Sequence, residues 1–259
     1  MTEAAFQLVR AAGFVAALGL AAALQHSSPH AAVAASRRTN VALWSMNVVL
    51  LAVVCGACTC TVARWAEAAG LGLLNWAGAP VWTAIPATVL ALDLLSYGWH
   101  RANHRVALLW RFHQVHHSDP GFTASTALRF HPCELLLSLP LRLAVVAAVG
   151  APVAGIIVFE VAFTFSNLIE HGNIDLPAAL ERRLAHILVT PALHRRHHSV
   201  RRHELDSNFG TIFTCWDRLL DTYLASFSTK AVRTGLAGMR EPVTFWTALV
   251  LPLRAGPRR

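Results

Sequence analysis

Three nearly uncharged stretches, Phe6–Leu24, Val41–Val62 and Ala79–Trp99, and an apolar block over 135–170 constrain this chain more than any other feature. Each is close to the ~20 apolar residues needed to cross hydrocarbon. A backbone placed there must satisfy its own N–H and C=O groups, which a single segment does only as a helix. Pro140 and Gly150-Ala151-Pro152 interrupt the block, so it reads as a hairpin of helices over 135–149 and 152–170. The first arm is short and carries Arg142, which makes it a candidate to dip into the bilayer only. The opening segment is weakly charged, with Glu3 before Arg10, and is expected to be retained rather than cleaved. From Asp175 onward no run is long enough to span, and Val243–Leu253 is expected to form a short interfacial segment.

Composition agrees. Charged residues make up 14% of the chain, against roughly 25% in an ordinary soluble domain. Residues 181–259 hold 13 Lys/Arg and 6 Asp/Glu. Beside so many apolar runs, such a basic segment is expected to lie against lipid headgroups, with no nucleic acid as partner. Arg37, Arg38 and the Arg-rich segments after His100 and Glu181 would share the cytoplasmic side, of an inner (plasma) membrane. Cys55, Cys58 and Cys60 lie in an apolar run and read as packing residues.

Twelve of the fourteen histidines lie between His100 and His203. Three groups carry the pattern: His100-x-x-x-His104, His113-x-x-His116-His117 and His194-x-x-His197-His198. Residues at i, i+3 and i+4 share one helical face, so each group can aim its imidazoles at one spot. A neutral imidazole offers a lone pair near pH 7. Eight such ligands are too many for one ion, since a structural zinc takes about four, and fit two. His171 follows the hairpin and is a ninth candidate, with Asn167 one turn earlier as a weak ligand or water holder. His131 precedes a proline and stands as a lesser candidate, His186 and His203 read as surface residues, and His26 and His30 lie too early.

These strings resemble the fatty acid hydroxylase superfamily, also called the sterol desaturase family. The resemblance begins at Asp93-x-x-x-Tyr97-x-x-His100-Arg101 and continues through His113-Gln-Val-His116-His117 and Arg129-Phe-His131-Pro. It then includes Asn167-x-x-x-His171-Gly-Asn, His194-Arg-Arg-His197-His198, Asp206-Ser-Asn208-Phe-Gly210 and Trp216-Asp217, over roughly residues 80–225. It implies a non-haem site of two iron ions, dioxygen as co-substrate, a lipid substrate (fatty acyl, sterol or ether lipid) and hydroxylation or desaturation. The implied metal ligands are His100, His104, His113, His116, His117, His171, His194, His197 and His198. Some members carry a further histidine where this chain has Asn167. Electrons would come from an external donor protein, because no haem or flavin motif is visible.

The fold class expected is all-α: a membrane bundle of about four or five helices with a cytosolic histidine-rich cap holding a dinuclear metal site. Residues 1–75 would form N-terminal membrane helices, 76–225 the catalytic domain and 226–259 a basic tail. The third helix and the hairpin would form an apolar slot for a lipid tail. Asp93, Glu170, Asp206 and Asn208 are the candidates to orient imidazoles, and Arg101, Arg111, Arg195 and Arg196 to meet a headgroup or face solvent. Two other readings compete. A zinc-dependent membrane hydrolase would need His-Glu-x-x-His, and none of the three groups has that glutamate. A metal transporter would place its ligands near the middle of its helices, whereas these sit at helix ends.

Overall fold

A computed structural model describes residues 3–31, 36–55, 58–225, 232–239 and 241–254; the rest of the expected tail 226–259 lies outside the described residues. The chain is helical: α1 (Glu3–Ser27), α2 (Arg37–Cys55), α3 (Cys58–Ala68), α4 (Leu73–Trp76), α5 (Val81–Arg105), α6 (Ala107–His117), α7 (Pro132–Val149), α8 (Val153–Glu170), α9 (Ala178–Leu184) and α10 (Pro191–His197). Helical turns at Arg202–Leu205, Cys215–Leu219 and Phe245–Val250 follow. Among the described residues there is no strand, only isolated bridges such as Leu188 to Phe213. Five stretches are long and apolar enough to cross a membrane: Ala4–Ser27, Arg37–Trp76, Val81–Arg105, Pro132–Val149 and Val153–Glu170. The expected second span, Val41–Val62, is described as α2 and α3; residues 56 and 57 between them lie outside the described residues.

α8 is the centre of the bundle, packed on α1 and on α5. In lipid there is little hydrophobic force between helices, so close approach through small residues does the work. Gly155 of α8 shows this: a Cβ there would lie 2.8 Å from Thr88 Cβ of α5. The core between these helices holds Leu92, Val146, Ile156 and Phe159, joined by Phe6, Cys60 and Ala63. Large apolar side chains such as Leu8, Val15, Val49 and Val53 face outward, a surface suited to lipid rather than water.

Three boundaries differ from the sequence reading. α5 continues six residues past Trp99 to Arg105, carrying His100 and His104 on a rigid helix; Val106, in extended conformation, ends it and α6 begins at once. Pro140 lies inside α7 and does not interrupt it, as membrane helices tolerate when neighbours re-satisfy the freed carbonyl. α7 is also a full 18 residues, ~27 Å at 1.5 Å per residue. Arg142 therefore need not reach the surface; it pairs with Glu160 across the hairpin. The hairpin tip is made by Gly150 in the left-handed conformation (φ 70°), where a side chain would collide with Asn75 and the Leu71 carbonyl.

The first ends of α2 and α7 and the last ends of α1, α5 and α8 gather at one end of the bundle. Gln25 of α1 accepts from Ala124 N and Asn173 N, and Asn40 of α2 donates to Asp119. Arg129 is fully buried there. It donates to the Val115 carbonyl and Ser118 at the end of α6, and to Asn40. The last described segment closes the same end: Val243, Ala248 and Leu251 pack on Leu43, Trp110 and Val115, while Trp246 faces outward.

Candidate metal centre

All nine candidate histidines converge at this polar end, in two adjacent clusters. His100, His104, His113, His117 and His197 form the first, and His116, His171, His194 and His198 the second; within each, the ligand nitrogens lie within 4.8 Å of one another. The sequence reading gave each group one target, but the helices divide them. From α6, His113 and His117 face the first cluster and His116 the second. From α10 and its end the division is inverted, with His197 in the first and His194 and His198 in the second. His116 and His117, adjacent on α6 with ring planes 89° to each other, fall in different clusters.

The hydrogen bonds set the tautomers. The Nδ1–H of His100 donates to the Phe209 carbonyl (2.9 Å), His113 to Glu134 (2.8 Å), His116 to the Arg129 carbonyl (3.3 Å), His171 to the Asn167 carbonyl (2.7 Å) and His197 to the Ser207 carbonyl (2.7 Å). Each of these rings therefore turns an Nε2 lone pair inward. The buried Nε2 atoms of His100, His113 and His197 have no hydrogen-bond partner. His116 Nε2 and His171 Nε2 lie 3.0 Å apart, and His194 Nε2 lies 3.0 Å from His171 Nε2. With both Nδ1 protons committed, neither His116 nor His171 can donate to the other as a neutral ring. Two ligands at right angles about an ion with bonds of ~2.1 Å are ~3.0 Å apart. Lone pairs held so close fit a shared cation.

Protonation does not relieve this contact. Burial, and after it the neighbouring imidazoles, holds His116, His117, His194 and His198 well below the ordinary histidine range. Burial brings His171 and His197 down to about 3. The rings are thus neutral, as metal ligation requires.

The groups that orient these rings are mostly not those expected. Asp93 is buried but touches no imidazole: it accepts from Ile212 N, Phe213 N and Trp216 Nε1, tying α5 to the segment after the third histidine group. Asn208 (φ 53°) clamps the backbone at Leu193 and Leu224, and Asp206 faces Arg202. Asp217 accepts from Phe209 N and Gly210 N and from Thr222, whose hydroxyl also meets Tyr97. The closing motif thereby presents the Phe209 carbonyl to His100. Of the expected acids, Glu170 alone approaches, 3.9 Å from both His171 Nδ1 and His194 Nε2. Glu134 was missed; its only signal was an acid opening an apolar helix, three residues after His131. His131 itself accepts from Cys133 N and meets the Leu249 carbonyl, outside both clusters. His26, His186 and His203 are exposed and His30 pairs with Asp175. Arg195 is buried against the Ile174 carbonyl and Arg196 pairs with Glu204, so neither is free for a headgroup.

A cavity of about 220 Å³ opens beside the clusters. His100, His113, His116, His171 and His194 form its floor, with Asn167 and Glu170 beside them; the walls are apolar residues of α5, α7 and α8 such as Leu95, Trp99, Leu135, Leu141, Phe159 and Phe163. Asn167 Oδ1 is buried without a partner.

Fold and site together define a helical membrane protein with a paired histidine centre at one end of its bundle. The fatty acid hydroxylase family model matches residues 85–222, and the chain belongs to that family. It is similar to an ornithine lipid hydroxylase of Rhizobium tropici, 32% identical over 61% of this chain and 47% of that protein. It also resembles the human alkylglycerol monooxygenase, 32% identical over 56% of this chain and 31% of that one. A cholesterol 25-hydroxylase of Rattus norvegicus is 26% identical over 57% and 49%. The chain thus spans half or less of these relatives' lengths. No solved structure matches it.

Proposed function

We propose that this chain is a membrane-bound, non-haem di-iron oxygenase that uses dioxygen to hydroxylate or desaturate a lipid C–H bond, with electrons from an external donor protein. The observation that carries the reading is the nine imidazoles whose ring nitrogens converge in two clusters beside one apolar cavity. Five of the nine come from the first cluster and four from the second, and these residues would hold the two ions. Asn167 and Glu170 border the four-histidine cluster on the cavity side, where a substrate or dioxygen would approach. The relatives' names, hydroxylases and monooxygenases of lipids, support the same class.

When bound, iron supplies with dioxygen the oxidising power that no side chain has. Hydroxylation consumes dioxygen, two electrons and two protons and yields the alcohol and water, so a reductant must reach the polar end. The chain's own residues do the rest. Leu95, Trp99, Phe159 and Phe163 seat an apolar chain and exclude water, which fixes one carbon against the clusters. Phe209, Ser207, Asn167 and Arg129 hold the rings through their carbonyls, and Glu134 through its carboxylate. The unit that does this is 76–225, with 1–75 contributing N-terminal membrane helices and, from the basic tail 226–259, Val243, Ala248 and Leu251 packing on the polar end. By the positive-inside rule that end, with Arg37, Arg38 and the arginines beyond His100, faces the cytoplasm of an inner membrane.

The test is elemental analysis of detergent-purified protein together with ¹⁸O₂ labelling of lipids in expressing cells. About two irons per chain and labelled lipid, both lost in His116→Ala and His197→Ala, are expected. Two zinc ions that iron cannot replace, with no labelled lipid, would refute the reading.

A further inference from the structure

Three charged residues lie within the membrane-spanning helices, away from the histidines: Glu160 is largely buried, while Arg10 and Arg142 keep 42% and 32% of their side chains exposed. Glu160 of α8 pairs with Arg142 of α7 and, at 3.4 Å, with Arg10 of α1. Arg142 is eight residues beyond Glu134, ~12 Å along the helix, and Val149 at the hairpin tip is ~10 Å further. The triad therefore sits near the middle of a hydrocarbon layer ~30 Å thick. Ionisable groups there are costly, and they mark function more often than support.

Support alone does not account for these three. One arginine would neutralise Glu160; two leave a net charge of +1. Arg142 also lines the cavity, with Ser138 and Leu141 on the same helix, farther along α7 from the histidines than Glu134 and Leu135. Arg142 Nη2 is engaged by Glu160 and its Nε is packed out of reach of the cavity, which leaves Nη1 as the nitrogen it can offer. Its guanidinium lies 5.5 Å from the ring centre of Phe159, another cavity wall. A guanidinium held through Nη2 thus borders an apolar channel whose other end is the histidine clusters.

We propose that Arg142 is the polar anchor for the substrate: it donates Nη1–H to an oxygen acceptor, a hydroxyl or carbonyl, placed ~12 Å along the channel from the carbon presented to the histidines. Glu160, itself paired with Arg10, holds the guanidinium in place. The substrate class is then a lipid with a neutral oxygen function remote from the oxidised carbon, and Arg142 acts as the ruler that selects which carbon arrives. This deepens the oxygenase reading and rests on the cavity being its substrate site.

The test needs no turnover. A diazirine-bearing hexadecanol is photo-crosslinked to purified protein in lipid nanodiscs, and labelled cavity peptides are read by mass spectrometry in competition with unlabelled hexadecanol or hexadecane. Hexadecanol is expected to compete at least tenfold better than hexadecane, roughly 1.4 kcal/mol. Arg142→Met is expected to abolish that preference while metal content and Tm stay unchanged. Should that variant fail to fold, Arg142→Met/Glu160→Met removes the pair together and leaves no buried charge of that pair unmatched. Equal competition in the wild type, or a preference that survives in a folded variant, would overturn the proposal. Oxygen-dependent product formation by the same wild-type preparation reports separately on the oxygenase reading.

Discussion

Glu134 offers the sharpest perturbation of the centre. Its Oε1 accepts from His113 Nδ1 at 2.8 Å and from Asn103 Nδ2 at 3.1 Å, and its side chain is 4% exposed. The bond fixes the tautomer that turns His113 Nε2 toward the first cluster and makes that ring a better donor. Removing a carboxylate that orients a ligating histidine costs about 10- to 100-fold in metal affinity, or ~1.4–2.7 kcal/mol. Glu134→Gln keeps a carbonyl acceptor and loses only the charge, so its loss should fall at the lower end. Glu134→Ala leaves the His113 donor buried and unpaired, itself worth ~1–3 kcal/mol, and should reach or exceed the upper end. The assay is chelator competition followed by elemental analysis at buffered free iron. The expected order is wild type, then Gln, then Ala, with one of two ions released first, because His116, His171, His194 and His198 do not contact Glu134. Wild-type affinity for both ions in Glu134→Ala would show that this bond does not set the ligand.

Three further outcomes follow from the geometry. Gly155→Ala drives a Cβ to within 2.8 Å of the buried Thr88 Cβ and should destabilise the bundle by ~1–3 kcal/mol; Gly13→Ala meets only Val161 Cγ2 at 3.2 Å and should cost less, as read by Tm in detergent. Asp93→Ala strips the acceptor from Ile212, Phe213 and Trp216, at ~1–3 kcal/mol per orphaned donor; it should lower Tm and, by loosening the Phe209 carbonyl, reduce metal at the first cluster. The chelated protein should weaken in acid: His171 and His197 are held at about 3 when folded, against an ordinary 6.5. Below 6.5 the unfolded chain takes protons that the folded chain refuses, so stability falls as pH drops toward 3, by ~1.4 kcal/mol per unit for each histidine. Denaturant titrations at pH 7 and 5.5 measure this, and equal midpoints would contradict it.

Much of this protein was legible before folding. Apolar run length dictates membrane helices because lipid leaves a backbone no other way to satisfy itself, and the five stretches long enough to cross include all those read from the sequence. Helical spacing marked the imidazoles as convergent, and all nine do converge, in two clusters. What lay beyond the sequence depends on contacts between distant segments. Spacing could not assign His116 and His117 to different clusters, because that depends on how α6 and α10 face each other across the centre. Nor could it show that backbone carbonyls of Phe209, Ser207, Asn167 and Arg129 orient the rings, since every residue carries a carbonyl and only the fold decides which one arrives. Asp93 and Asn208 were singled out as polar residues near the histidines. Their partners, up to 123 residues away in the chain, make them clamps on the backbone instead. Arg142 read as a reason for α7 to stop short; only the neighbouring helix, with Glu160 opposite, lets it stay in the bilayer.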